Sequence, residues 1–595
     1  MIGRRWQMER IKHHRHGLQA DLIQWAVIII TALLAVGPLI PIVIQAFVDG
    51  PLYGKDLHFT LQNVVDLFAD REFPSVLANT LLFAALTTVI SQAIGLVLAV
   101  LVGRTDLPGK RWLQVGTLAP LIVSSLVLAF GWSLAYGPAG FLTLFVQQWA
   151  GFAPWNLNSL LGMSLVAAST QAPLAFLYCL AATAKMDSRL EEAARACGAG
   201  PFAIFSRITI PLMMPSITYG LLLNFTASLD MFSIPFVFGE PAGIHLFMPW
   251  LYLNGLQTMR PSHGLVAAAS LLLLAIVGLL ILIQSRILRN DRRYITVGGK
   301  ASHLKPFQLG YLRWPMAIIA WLYIVLFAVM PIGILFIRAC TSFMTPLIPF
   351  WKLLTTENFA FVLQSDVFLT PIVNTIKISV FGGLIATLFV ALVAIVARRS
   401  EFRFARTLET LAMIPRAIPG LIAGIGVFYA VIFFPPLGIL SGSIWLLAIA
   451  YTSQIIPKTF GAIVPGLLQI SGDLDASARA SGAGWSTTTF RIVLPLLAPS
   501  LLVAFSLTFI SFFKEYSIAI YLVTPATQVI GTNLLQSWLQ GQIGQVAALA
   551  TIQLVMTLMF MGIFRGILAI WNRRRNTISS NHREAEAAAL ASSAR

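Results

Sequence analysis

Apolar residues fill long, nearly uninterrupted stretches of this chain, and polar residues gather in the short gaps between them. That pattern is neither the two-residue alternation of a half-buried strand nor the single apolar stripe of a surface helix. Twelve runs stand out, near 22–48, 77–103, 112–136, 157–184, 209–236, 263–287, 313–340, 373–397, 408–432, 441–468, 494–521 and 546–571. Each is long enough for a helix to cross about 30 Å of hydrocarbon, where all backbone polar groups must be satisfied within the helix.

The polar gaps repeat. Leu190-Glu191-Glu192-Ala193-Ala194-Arg195-Ala196-Cys197-Gly198-Ala199-Gly200 has a counterpart in Leu474-Asp475-Ala476-Ser477-Ala478-Arg479-Ala480-Ser481-Gly482-Ala483-Gly484, and the order continues to Arg207 and Pro211, and to Arg491 and Pro495. The offset is 284 residues throughout. Earlier in each half, Asn79-Thr80 and Pro120 match Asn374-Thr375 and Pro415 at an offset of 295. The repeat covers at least five of six runs per half in one order. An even number of spans keeps both copies upright, so the expectation is an all-α polytopic membrane protein of about twelve transmembrane helices in two parallel six-helix repeats. The division expected is a basic arm at 1–21, a first transmembrane domain at 22–289, a linker at 290–312, a second transmembrane domain at 313–572 and a tail at 573–595. The tail is Ala/Ser/Glu-rich and reads as a loose helix or a disordered end.

Composition agrees: 57% of residues are hydrophobic and 11% charged, which excludes an ordinary soluble domain. The net charge of +17 would suggest nucleic acid until the charges are located. Of 40 Lys and Arg, 31 fall in segments on one side of the twelve runs. This is the positive-inside pattern, and it places both termini in the cytoplasm. Cys179, Cys197 and Cys340 are too few and too scattered for a disulfide framework or a thiolate metal site.

Within the repeated gap, Glu191 to Cys197 predicts a short helix ended by Gly198, and about Pro201 to Ser206 a second one leading to Pro211. A proline there suits the first turn of the next span, where its missing donor costs nothing. Gly198 allows close approach of a partner backbone, and Arg195 and Arg207 supply charge-assisted donors. The residues Glu192-Ala193-Ala194, Gly198, Ile208 and Ile210-Pro211 resemble the EAA loop of ABC importer permeases, EAA-x3-G-x9-I-x-LP. In the second copy Ala476 takes the glutamate position and Asp475 precedes it, while Ala478, Gly482, Ile492 and Leu494-Pro495 fit.

The resemblance implies that each loop is a coupling helix docking on an ATPase subunit, with Glu191, Glu192, Ala193, Ala194, Arg195, Gly198, Arg207 and Pro211 on one side. Asp475, Ala478, Arg479, Gly482, Arg491 and Pro495 serve on the other. No G-x-x-x-x-G-K-[ST] occurs, so ATP and Mg would belong to two separate ABC ATPase subunits, and this chain would carry no cofactor, no metal set and no catalytic residue. A periplasmic or lipid-anchored substrate-binding protein would deliver cargo to this multi-pass bacterial inner-membrane component, with membrane lipid around it and no nucleic acid. The two-in-one layout looks most like permeases of ferric-iron importers, with thiamine, 2-aminoethylphosphonate and polyamine importers as alternatives. An ion-coupled secondary transporter is the rival from another class, and the duplicated docking loop argues against it.

Charges inside spans are costly and mark cavities or partners. Asp230 lies 19 residues past Pro211 and Lys514 lies 19 past Pro495. The expectation is that they face each other across the pseudo-twofold axis with Glu515 beside them, so that Asp230→Lys impairs transport and Lys514→Asp partly restores it. Arg416, in the Pro/Gly-rich stretch 414–420, is a further transport-path candidate, with no charged counterpart near Pro120.

Overall fold

The structure is a computed structural model that describes residues 21–54, 56–183, 186, 188–258, 261–288 and 308–593. The expected basic arm up to residue 20 and linker residues 290–307 lie outside the described residues, as does the side chain of Arg195. Among the described residues regular structure is helical, and β pairing is confined to two isolated bridges, Val48–Phe59 and Thr341–Leu354, one per half. Eight helices are long and apolar enough to cross a membrane, or up to eleven if each of three bent pairs is one span. Ile444–Leu468 is also 25 residues long, and Ser453, Gln454, Lys458 and Thr459 lower its hydropathy. It corresponds to the apolar run expected at 441–468. The C-terminal helix runs from Ile543 to Ser593, so the tail is helical to that point.

The halves are locked together by their first helices, which lie against the other half's core. In the first half Gly131, in helix Ser125–Tyr136, sits so close to the Pro331 carbonyl that any Cβ would collide with it. Gly426, 295 residues on, meets the Pro38 carbonyl in the same way. Val27 and Ile28 of the first helix pack with Val390, Val393 and Ile456 of the second half, and Ala317, Ala320 and Ile324 pack with Leu98 and Val102 of the first. The largest apolar cluster accordingly includes Ile42, Phe130, Leu335 and Phe509, drawn from both halves.

The repeated Asn-Thr pair has a structural task. Thr80 Oγ1 accepts the Phe247 amide at 2.8 Å, and Thr375 Oγ1 accepts the Ile530 amide at 2.9 Å. Each amide opens a short helix, Phe247–Tyr252 or Ile530–Leu539, whose first donors have no partner within the helix.

Two features differ from the sequence reading. The interrupted helix expected in the second half occurs in both. Helix Lys110–Ile122 is separated from Ser125–Tyr136 by extended Val123 and Ser124, and the second half breaks at Ile418 and Pro419, bending by 109°. Pro419 pushes Ile418 out of helical geometry; the first half breaks at the equivalent place with no proline there. The second short helix also stops early, at Ile204, and a wide i→i+5 turn at Phe205–Thr209 carries the chain directly into Ile210–Leu229. The same wide turn recurs at Thr489–Val493. It lies just before Pro211 and Pro495, whose missing amides interrupt the i→i−4 ladder.

Candidate functional site

The two repeated loops emerge at one face of the molecule and share a construction. The segment in the first loop is helix Ser188–Ala196 and that in the second is helix Asp473–Ala480. Gly198 (φ +82°) and Gly482 (φ +80°) end them in the left-handed region, where a side chain is disfavoured. The Ala199 amide donates back to the Ala194 carbonyl and the Ala483 amide to the Ala478 carbonyl, both at 2.9 Å, which closes a Schellman-type cap in each copy. Among the described residues nothing lies within 4 Å of a Cβ built on either glycine, so backbone sign accounts for the residue there.

Each segment is tethered to the end of its half's second span. Arg104, the last residue of helix Phe73–Arg104, reaches Glu191, and Arg399, the last of helix Gly383–Arg399, reaches Asp475 at 2.8 Å. The arginines stand 295 apart and the acids 284 apart, so the two ion pairs are equivalent under the internal repeat. They differ in depth. Arg104 and Glu191 side chains are 5% and 8% exposed, whereas Asp475 is 22% exposed. The Arg104 Nη2–Glu191 Oε2 separation is 2.7 Å, but no N–H lies along it, so coulombic attraction rather than a linear hydrogen bond holds the pair. Thr209 donates to the other Glu191 oxygen at 3.3 Å; its equivalent, Val493, cannot, and Arg399 binds the Ser471 carbonyl at 2.9 Å instead.

The remaining loop residues face outward. Glu192, Ala193, Arg207 and Pro211 are exposed, as are Arg479, Arg491 and Pro495, while Ala194 is half-buried and Ala478 is buried. Arg479 pairs with Glu401 at 2.7 Å on the open surface. The carboxylate that recurs in both halves, Glu191 or Asp475, is therefore turned inward to its own arginine. Glu192, which has no acidic equivalent at Ala476, is the exposed one. Sequence reading missed Arg104 and Arg399.

Between the halves lies a cavity of about 310 Å³, lined by Asp230, Lys514 and Glu515 together with Ser124, Gln171 and Lys458. The structure thus brings three of the four transport-path candidates to one space. Asp230 and Lys514 do not form the expected ion pair. Asp230 Oδ1 accepts the Gly420 amide at 2.9 Å, and Gly420 opens helix Gly420–Phe433 of the other half. Lys514 Nζ donates to the Leu121 carbonyl at 2.7 Å, near the C-terminal end of helix Lys110–Ile122, again in the other half. An anion at a helix N-terminus and a cation at a C-terminus are both favoured by the helix dipole. Each charge therefore caps the broken helix across the interface. Glu515 turns back to accept the Tyr516 and Ile518 amides at 3.1 and 3.2 Å. Arg416 lies outside the cavity lining, exposed, with Nη2 3.5 Å from the Tyr219 hydroxyl, and Tyr219 stands edge-on to Tyr178.

Comparison with known proteins places this geometry in a family. Residues 91–294 and 383–577 each match the family described as "Binding-protein-dependent transport system inner membrane component". The ferric transport system permease protein FbpB of Actinobacillus pleuropneumoniae is 26% identical over 557 residues, 91% of this chain and 77% of that protein. The molybdenum transport system permease protein ModB of Escherichia coli (strain K12) is 31% identical over 175 residues, 29% of this chain and 74% of ModB. A chain of a bacterial alginate ABC transporter, crystallised with an alginate pentasaccharide-bound periplasmic protein, aligns over 99% of its length and 49% of this one, at 18% identity and TM-score 0.39. The family's domain occurs twice in one polypeptide with its loops and spans in matching order; the chain belongs to the binding-protein-dependent transport system inner membrane components and is a fused ABC importer permease.

Proposed function

We propose that this permease carries ferric iron, delivered by a periplasmic or lipid-anchored binding protein, and that two ATPase subunits drive it from the face bearing the two tethered loops. The observation that carries the reading is the pair of equivalent loops, each held to a span end by an ion pair and each presenting an exposed arginine, Arg207 or Arg491. A rigid knob fixed to a membrane helix is what transmits a push from a soluble motor into the bundle. The preponderance of Lys and Arg on that side assigns it to the cytoplasm, with both termini there. Closure of the ATPase pair draws the loops together, rotates the halves and opens the cavity at Asp230 and Lys514 to the other side, in an alternating-access cycle with no covalent chemistry on this chain.

Iron as cargo rests on the relative FbpB, a ferric transport permease that aligns over nearly the whole chain. The test is uptake of radiolabelled ferric iron by cells lacking this gene, complemented with the wild-type chain or with a variant in which Gly198 and Gly482 are both changed to Asp. Restoration by the wild type alone supports both cargo and loops. Iron uptake that is the same with and without the gene overturns the cargo assignment, and full uptake by the double variant overturns the coupling role.

A further inference from the structure

Equivalent residues of the two halves line the cavity between them in pairs: Ala227 with Ser511, Asp230 with Lys514, and Phe232 with Tyr516, each pair 284 positions apart. The cavity therefore sits on the pseudo-twofold axis that relates the halves. Phe232 and Tyr516 also touch, with ring centroids 6.1 Å apart and planes tilted by 53°. A residue in contact with its own equivalent lies at the axis itself, where the halves meet.

The direction of the chain shows which end of the cavity the rings occupy. Helix Ile210–Leu229 starts at the loop face and runs away from it, so its wall of the cavity is read in order from Ala227 to Phe232. Ala227 is exposed, whereas Phe232 is 2% and Tyr516 6% exposed. The cavity is thus stopped at the end remote from the loops, and the two rings are the stopper.

Each ring is fastened within its own half. Phe232 stacks on Phe236 at 5.0 Å and meets Tyr252 edge-on at 5.4 Å. Tyr516 lies against Gly531, where any Cβ would collide with its side chain. Tyr252 and Gly531 belong to helices Phe247–Tyr252 and Ile530–Leu539, the short helices whose first amides Thr80 and Thr375 hold. Rotation of the halves carries each ring away with its own anchor. Two uncharged rings can part without stranding a buried charge.

We propose that Phe232 and Tyr516 are the gate of the transport path on the side opposite the loops. Their contact closes the cavity to that side at rest and parts when the ATPase subunits draw the loops together. The proposal rests on the reading of this cavity as the path.

Labelling of a cavity cysteine tests the gate and the path separately. Ala227→Cys is the reporter, in right-side-out membrane vesicles carrying the permease with its ATPase subunits, and a charged, membrane-impermeant methanethiosulfonate is added outside. Labelling is expected to be slow at rest and fast with ATP and vanadate inside. Phe232→Ala with Tyr516→Ala speeds resting labelling at least about tenfold, the shift in a closed–open balance on losing one aromatic pair. Tyr516→Phe keeps both rings and leaves resting labelling slow. Phe232→Leu with Tyr516→Leu gives a smaller rise and keeps the test valid if the alanine pair fails to fold. Phe130→Leu, at a ring stacked on Trp538 across the halves but outside the cavity lining, leaves labelling slow. Resting labelling unchanged in the ring-removing pairs, or raised as much by Phe130→Leu, overturns the gate. A reporter labelled no faster with ATP and vanadate, in the chain that keeps both rings, overturns the cavity as the path.

Discussion

Replacing Glu191 with Ala isolates the Arg104 guanidinium in an apolar setting, and the size of the effect follows from the burial of both partners. With the side chains 5% and 8% exposed, breaking the pair falls in the class that costs about 3–5 kcal/mol, because the surviving charge is left buried and unpaired. The off-line geometry of the contact puts it at the lower end, ~3 kcal/mol. The cost is local, since what the pair holds is the segment Ser188–Thr209 against the end of helix Phe73–Arg104. Lowering the free energy of local opening by ~3 kcal/mol speeds amide exchange in that segment about 100-fold. Asp475→Ala at the half-open second tether costs about 1–2 kcal/mol, between the buried and exposed limits. Glu192→Ala, at an exposed side chain, stays within about 0.5 kcal/mol. The measurement is hydrogen exchange of the full chain in nanodiscs, read over residues 188–209 and 473–493. An apolar pair, Arg104→Met with Glu191→Leu, recovers most of the protection, because no charge is then stranded. Exchange in Glu191→Ala no faster than in Glu192→Ala would refute the tether.

Three further outcomes are expected. Gly198→Asn and Gly482→Asn retain ATP-driven uptake while the Val variants lose it, since Asn tolerates φ near +80° and a β-branched residue does not; equal uptake by Asn and Val variants would contradict the cap. Asp230→Asn keeps an acceptor for the Gly420 amide and retains more transport than Asp230→Ala, whereas the exchanged pair Asp230→Lys with Lys514→Asp is not rescued, because each charge then meets the wrong end of a helix dipole. Recovery of uptake by the exchanged pair would restore direct pairing. At the face opposite the loops, burial raises the pKa of Glu240 above the usual carboxylate range, against the attraction of His245 2.9 Å away. A raised folded-state pKa means that protonation favours the fold, so this contribution is present in acid and fades as pH rises through the elevated value. Glu240→Gln flattens that part of the thermal-stability profile, and an unchanged pH slope in the variant would rule the group out.

The helical membrane architecture and the duplication were readable because hydropathy and offset are properties of the chain itself. Even the tether left a trace: Arg104 and Arg399 recur at 295, as Asn79 and Asn374 do, and Glu191 and Asp475 recur at 284. Four repeated charges of opposite sign at one face are a pairing signal, hidden here by attention to the loop motif alone. The broken helix at Val123–Ser124 left none, since no proline or glycine stands at those positions and the break depends on what packs around it. Nor could sequence decide between Asp230 meeting Lys514 and each meeting a backbone end. Equivalent positions of opposite charge suggest a pair, and only the crossing of the halves shows a helix terminus nearer to each.

The internal repeat also separates what must be equal in the two halves from what need not be. Positions that keep their chemistry, Asn-Thr at the short helices, glycine at Gly131 and Gly426, arginine with acid at the tethers, are those that hold each half in shape. Positions that change sign or type, Asp230 against Lys514 and Glu192 against Ala476, lie on the cavity or on the exposed loop. A symmetric pair of identical chains could not place an acid at one helix N-terminus and a lysine at the other half's C-terminus; fusion into one polypeptide permits it. Both caps cross the interface, so rotation of one half against the other cannot release one without straining the other. Rotation of one half against the other therefore bears on the Asp230 and the Lys514 contacts alike.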